Sequence, residues 1–301
     1  MNLSPLSSFV ERALRRVQRV SSKWPLLVAM ASSSAVDCSA SRAAPDEGPV
    51  PAPERDGAAS DAEPSAEDGC GGPFGEASDG SVTPVQGTAT VQLQVSGDNE
   101  IRSLETTLTV PAKPNRAGTV FVWPGLQPTS GLAPVGDGVL QAVLTWGPTC
   151  APRAPASPYE SWWISGEYVN PGADVATYGG CRGGDGALVG VGDVLVVTLR
   201  RDGTTWSERI VDASDGRATT FTIDLAGQPQ RRALFAIEER DGASPTSAVF
   251  SDTRVTFDAP EPGACQPAAR GARDAFSVPH ASADGRRCCI ARIALVSDGA
   301  G

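Results

Sequence analysis

From residue 82 onward the chain is organised by short apolar runs, most of them alternating with polar residues. TATVQLQV (88–95) and LETTLTV (104–110) come first, followed by TVFVW (119–123), VLQAVLTW (139–146) and SWWISGEYV (161–169). DVLVVTLR (193–200), TTWSERIV (204–211), TTFTIDL (219–225), RALFAIEE (232–239) and AVFSDTRVTF (248–257) complete the series. Each run is rich in Val, Thr, Leu and aromatic residues, and Gly, Pro, Asp or Asn separates them. Period-two alternation between turn signals predicts strands, and ten such runs predict an all-β, two-sheet antiparallel β-sandwich of the concanavalin A-like or jelly-roll kind. RALFAIEE is too short for a helix. RRDGTTW (200–206) predicts a hairpin turning through Asp202 and Gly203.

The same alternation assigns faces. In 139–146, Leu140, Ala142, Leu144 and Trp146 form the apolar side, which puts Gln141 with Val139, Val143 and Thr145 on the other. In 232–239, Phe235 and Ile237 mark the core side and send Leu234, Ala236 and Glu238 outward. An amide in an otherwise apolar strand needs a partner, because burying it unpaired costs free energy. Glu238 is the expected partner of Gln141 if that sheet curves into a groove.

Outside this region the pattern changes. Residues 1–37 carry Arg12, Arg15, Arg16, Arg19 and Lys23 ahead of the apolar run WPLLVAMA and the small residues SSSAV. A basic segment, a short apolar run and small residues predict an export signal; the run is too short to span a bilayer. The expected location is therefore secreted or cell-surface. Lipidation at Cys38 is the second reading, with Asp37 an unfavourable residue before a lipidated cysteine. Residues 38–81 are mostly Ala, Pro, Ser, Gly, Asp and Glu, and so bury too little apolar surface to offset ordering entropy; a disordered acidic linker is expected. One sandwich domain is expected over 82–265, and a poorly ordered tail over 266–301.

Composition narrows the chemistry. The net charge of -10 argues against nucleic acid as a partner. A single histidine, His280 in the expected tail, gives little basis for a serine-type triad or a histidine metal site. No cofactor and no metal are expected. The seven cysteines lack a CxxC pair and, behind an export signal, are read as disulfide formers. Cys150 and Cys181 are the expected pair. Cys70 with Cys265 is a further candidate, and Cys288 and Cys289 are left open.

The ordered segments WPGLQ (123–127), VLQAVLTW, SWWISGEY, GDVLVV (192–197), ALFAIEE (233–239) and VFSDTRVTF (249–257) resemble glutamic peptidases of the eqolisin type over roughly residues 85–260. The resemblance implies a sandwich with a catalytic Gln141 and Glu238, matched through Leu140-Gln141 and Ile237-Glu238, and a cleft lined by Trp123. It implies hydrolysis of peptide bonds at acidic pH. Glu238 would be general base for a water, and Gln141 would donate to the developing oxyanion. The sequence departs from the family where Gln127 replaces an acidic residue, where Ile164 falls at or near a glutamate, and where Leu234-Phe235 replaces a polar position.

Trp123, Gln127, Trp162 and Trp163 are the candidate substrate-binding residues. Trp162 and Trp163 are adjacent, so one is expected in the core and the other exposed. An exposed ring beside Tyr159, Tyr168 and Trp123 would give a platform for a sugar or a peptide side chain. The alternative is thus a non-catalytic concanavalin A-like glycan-binding module or a cell-surface structural protein. A glycosidase would need two carboxylates across the groove, from Glu167, Asp193, Glu238 and Glu239. The expected partner is a polypeptide or an extracellular glycan, bound by a monomer.

Overall fold

The computed structural model describes residues 74–76, 88–115, 118–129, 135–151, 159–170, 177–269 and 274–299. The expected export signal lies outside them, as does most of the expected linker. The described strands, in chain order, are β1 (Phe74–Glu76), β2 (Thr88–Gln94), β3 (Ile101–Thr109), β4 (Thr119–Gln127), β5 (Val139–Trp146) and β6 (Trp162–Asn170). They continue as β7 (Gly180–Gly183), β8 (Ala187–Val189), β9 (Val194–Asp202), β10 (Thr205–Asp212), β11 (Ala218–Asp224) and β12 (Arg232–Arg240). The last are β13 (Ser247–Phe257), β14 (Ala268–Ala269), β15 (Ala275–Ser277), β16 (His280–Ala281) and β17 (Arg287–Val296). The protein is an all-β, two-sheet antiparallel sandwich, as the alternation predicts.

The nine-stranded sheet runs β1-β15-β17-β13-β3-β9-β10-β11, with β16 on β17. The eight-stranded sheet runs β14-β2-β12-β4-β5-β6-β7, with β8 on β6. Their facing sides form one core. Val91 and Leu93 come from β2, Leu140 and Leu144 from β5, Phe235 and Ile237 from β12, and Leu195 and Val197 from β9. Phe235 meets Phe250 of β13 edge-on at 5.2 Å, joining the two sheets. Such contacts bury large side chains and supply most of the favourable free energy of folding.

All ten expected strands form, with ends shifted by a few residues. β4 runs four residues past Trp123, through Pro124 and Gly125. Proline cannot donate to a ladder. The β4–β5 ladder pairs Val122 with Leu144 and resumes at Gly125 with Gln141. In the β9–β10 hairpin Asp202 pairs with Thr205, so the loop is Gly203-Thr204, one residue later than expected. Gly203 has φ 58°, the left-handed conformation that a tight loop requires.

Two expectations about the ends are corrected. The tail after Cys265 is part of the sandwich: β17 pairs with β13 from Ser247↔Val296 to Thr256↔Arg287 and puts Ile290, Ile293 and Leu295 into the core. Its arginines hid a strand whose alternate residues are apolar. β1, inside the stretch expected to be linker, pairs with β15. Cys265 is bridged to Cys288 and so cannot pair with Cys70, while Cys150–Cys181 forms as expected.

Candidate functional site

The outer face of the eight-stranded sheet collects the candidate residues. On β5 the core side is Leu140, Ala142, Leu144 and Trp146, which leaves Val139, Gln141, Val143 and Thr145 outside. On β12 Ala233, Phe235 and Ile237 are inside, so Leu234, Ala236 and Glu238 are outside. On β6 Trp162, Ile164 and Tyr168 are inside, so Trp163, Ser165, Glu167 and Val169 are outside.

Register then decides which of these meet. Gln141 pairs with Gly125 on one side and Glu167 on the other. Gly125 pairs with Leu234, and Leu234 with Gln92. One cross-strand row therefore reads Gln92, Leu234, Gly125, Gln141, Glu167. Glu238 belongs to a different row, paired with Phe121. Phe121 and Gly125 are four residues apart on β4, about 13 Å along the strand, and β12 and β5 are two strand spacings apart; Gln141 and Glu238 are thus separated by about 16 Å. No single water bridges that gap, and the pair does not assemble as a dyad. Across β4, Gln141 faces Leu234, which carries no acid. Arg240 instead donates to Glu238 at 3.3 Å.

The other expected residues divide. Trp123 is only 7% exposed and forms a second apolar cluster on the outer face with Val143, Leu234 and Ala236, flanked by Phe121 and Val139. Gln127 is half-buried and its Nε2 donates to the Asp137 carbonyl at 3.3 Å. Trp162 lies in the core against Trp146, 5.7 Å between ring centres. Trp163 is on the outer side but is 1% exposed, against Trp162 at 0%, so neither tryptophan offers a free ring. Tyr168 is also in the core. Alternation fixes only the direction of a side chain, not what covers it, and the expected aromatic platform is therefore absent among the described residues.

Glu167 has the most perturbed surroundings on this face. It is 1% exposed, and Ser165 Oγ donates to its Oε1 at 2.6 Å. Burial pushes its carboxyl up to about 7, and the Ser165 hydrogen bond pulls partly against that. Beneath it, Glu208 of β10 reaches across the core from the opposite sheet. Glu208 Oε2 accepts the backbone N–H of Glu167 at 3.3 Å and also a backbone hydrogen bond from Gln141. Burial, then the neighbouring Glu167, raises Glu208 well above the usual carboxylate range. Gly166 makes room for this, since a Cβ there would lie 2.9 Å from Glu208 Oε2 and 2.8 Å from Phe221 Cβ.

Glu208 stands out in the sequence once its strand is aligned: it occupies the apolar side between Trp206 and Ile210. Glu167 stands among the carboxylates considered above, but its environment depends on β10 and on the Cys150–Cys181 bridge. Among the described residues, Cys150, Glu167 and Cys181 bring three potential metal donors within 4.8 Å of one another. The two sulfurs are joined in the disulfide, which leaves one carboxylate and no metal-binding set.

The fold and this face define a β-sandwich with an amide-lined outer surface. No protein-family model matches the chain, and no curated protein does. Among solved structures, similarity extends to a Scytalido-glutamic peptidase with a peptide-based transition state analogue, at 13% identity and TM-score 0.44, covering 71% of this chain and 98% of that one. It extends also to SCP-B, a member of the Eqolisin family of peptidases in a complex with the tripeptide Ala-Ile-His, at 13% identity and TM-score 0.41, covering 72% and 100%. A winged bean acidic lectin complexed with methyl-alpha-D-galactose is similar at 12% identity and TM-score 0.31, covering 76% and 87%. These likenesses assign no residue a role.

Proposed function

We propose that this chain is an exported binding protein whose eight-stranded sheet holds an extended polypeptide on its outer face, without hydrolysis through Gln141 and Glu238. The observation that carries this reading is the row Gln92, Leu234, Gly125, Gln141, Glu167. Gly125 lets the row pack closely between Leu234 and Gln141: a Cβ there would lie 2.8 Å from the Leu140 carbonyl oxygen and 3.1 Å from both Gln141 Cβ and Trp123 Cε3. Trp123, Val143, Leu234 and Ala236 form an apolar cluster beside it. Gln92, Gln94, Gln127 and Gln141 surround it with neutral amides, each of which both donates and accepts. That combination matches the alternating apolar side chains and peptide groups of an extended chain. A glycan site would want an exposed ring to stack on, and Trp123, Trp162, Trp163 and Tyr168 are buried, which leaves Tyr159 as the exposed ring of that set.

Two disulfides among the described residues fit an extracellular protein. No helix of the described residues is long and apolar enough to cross a membrane. The basic segment, short apolar run and small residues of 1–37, read as an export signal, support the same location.

The test is binding of the purified chain to a denatured, carboxymethylated protein and, in parallel, to a neutral glucan. Polypeptide binding is expected to weaken about tenfold in Gln141→Ala, the loss of roughly one well-placed hydrogen bond. Gln127→Ala is expected to weaken it in the same direction. Binding to glucan alone would overturn the polypeptide assignment. Cleavage at pH 2–5 that disappears in Glu238→Gln would overturn the exclusion of hydrolysis.

A further inference from the structure

We propose that Cys70 and Cys289 form a further disulfide, which ties the chain ahead of β1 to β17 across the edge of the nine-stranded sheet. This bridge is independent of the binding reading above.

The two bridges already described take Cys150, Cys181, Cys265 and Cys288, and leave Cys38, Cys70 and Cys289 outside them. Cys38 directly follows the expected export signal, where lipidation is its other reading. Cys70 and Cys289 then remain as an even pair in an exported chain, whose compartment favours oxidised cysteines. On β17 the alternation separates the two adjacent cysteines. Cys288 packs in the core with Ile290, Ile293 and Leu295, whereas Cys289 lies outside that cluster. Its row holds Arg254 of β13 on one side and His280 of β16 on the other, and neither has a sulfur to offer.

Register brings Cys70 within reach. β15 and β16 lie along the same side of β17, with Phe276↔Ile293 followed by His280↔Cys289. Between them Ser277 Oγ accepts from the Arg292 backbone N–H at 3.0 Å. β1 lies outside β15, with Phe74 opposite Ser277. β1 is antiparallel to β15, and β15 to β17, so β1 runs parallel to β17 and the residues before Phe74 head toward the Cys289 end. Phe74 is two strand spacings from β17 and three residues along it from Cys289, about 14 Å in all. Cys70 lies outside the described residues, four positions ahead of Phe74. Four extended residues span about 13 Å, and a disulfide joins Cα atoms about 4.4–6.8 Å apart, so the connection closes with slack. The intervening Gly71 and Gly72 put no side chains over β16 where the chain crosses it. Cys38 is far earlier in the chain, and closing the longer segment costs more chain entropy.

Forming the bridge removes two electrons and two protons from the two thiols. One thiolate attacks a disulfide of a small-molecule or protein oxidant. The second thiolate displaces that mixed disulfide, and the oxidant leaves as two thiols. The product pins a three-residue edge strand whose own ladder is short.

The full chain, exported into an oxidising compartment, is denatured, labelled with iodoacetamide without reduction and digested with trypsin. The tryptic peptide 56–102 carries Cys70, 255–270 carries Cys265, and 288–292 carries Cys288 and Cys289. All three are expected in one disulfide-linked species, with no label on Cys70 or Cys289. In Cys289→Ser, 56–102 is expected to leave that species and appear with labelled Cys70, while 255–270 stays joined to 288–292. In Cys70→Ser, Cys289 is expected to take the label. Label on Cys289 in the wild type overturns the proposal, as does a Cys38 peptide joined to 288–292 or a dimer linked through Cys289 that reduction separates. Retention of 56–102 in the Cys289→Ser species also overturns it, because Cys70 would then pair elsewhere.

Discussion

A carboxyl whose folded pKa lies above its unfolded value favours the fold in its neutral form. Glu167 moves from 4.5 to about 7. Its neutral form is therefore accommodated without penalty below about pH 4.5. The cost of burying its charge accrues as pH rises and is complete above about 7. Integrated over that shift, the loss is roughly 3 kcal/mol. Glu208 is shifted in the same direction and adds to the loss at higher pH. The fold is thus expected to be more stable at pH 4.5 than at pH 8.5 in denaturant titrations. In Glu167→Gln most of that difference is expected to disappear. Equal stability of wild type at the two pH values would contradict the environment assigned to Glu167. The acid preference read from the family resemblance and this one have different origins: the first invoked a cycling catalytic glutamate, the second a buried carboxyl that resists ionisation.

At the scale of single elements, β17 changes the account of the chain most. It binds β13 along nearly its whole length and is tied back to Cys265 by Cys288. The bridge spans 23 residues of sequence. Closing a loop of that size is worth about 3 kcal/mol in the unfolded state. Cys265→Ser together with Cys288→Ser is expected to lower stability by about that amount, read from the midpoint of denaturant unfolding. β6 depends on a different device. Gly166 admits Glu208 and Phe221 against its backbone, and Gly166→Ala is expected to weaken the β5–β6 pairing through contacts of 2.8 and 2.9 Å. Hydrogen exchange at the amides of Gln141 and Glu167 should rise first in that variant.

At the scale of the whole molecule, the described residues of the two sheets cooperate through one core. Phe235 and Phe250 connect the sheets, and Phe235→Ala is expected to cost about 3–5 kcal/mol in unfolding free energy. A chain ending at 265 lacks β17 and its core residues Ile290, Ile293 and Leu295. It is expected to show no cooperative unfolding transition by circular dichroism. The sequence alone determined the all-β class, the ten main strands and the inward or outward sense of Gln141, Leu234 and Glu238. Each of these follows from period-two alternation or from local composition, which act within a few residues. Tertiary structure alone decided that β17 completes the sheet, that Trp162 and Trp163 are both covered, and that Gln141 pairs with Glu167 and lies about 16 Å from Glu238. Alternation gives a side chain's face but not its row, because the row is set by register against strands far away in sequence. The same holds for the surroundings of Glu167, whose pKa is raised by burial against the opposing hydrogen bond from Ser165.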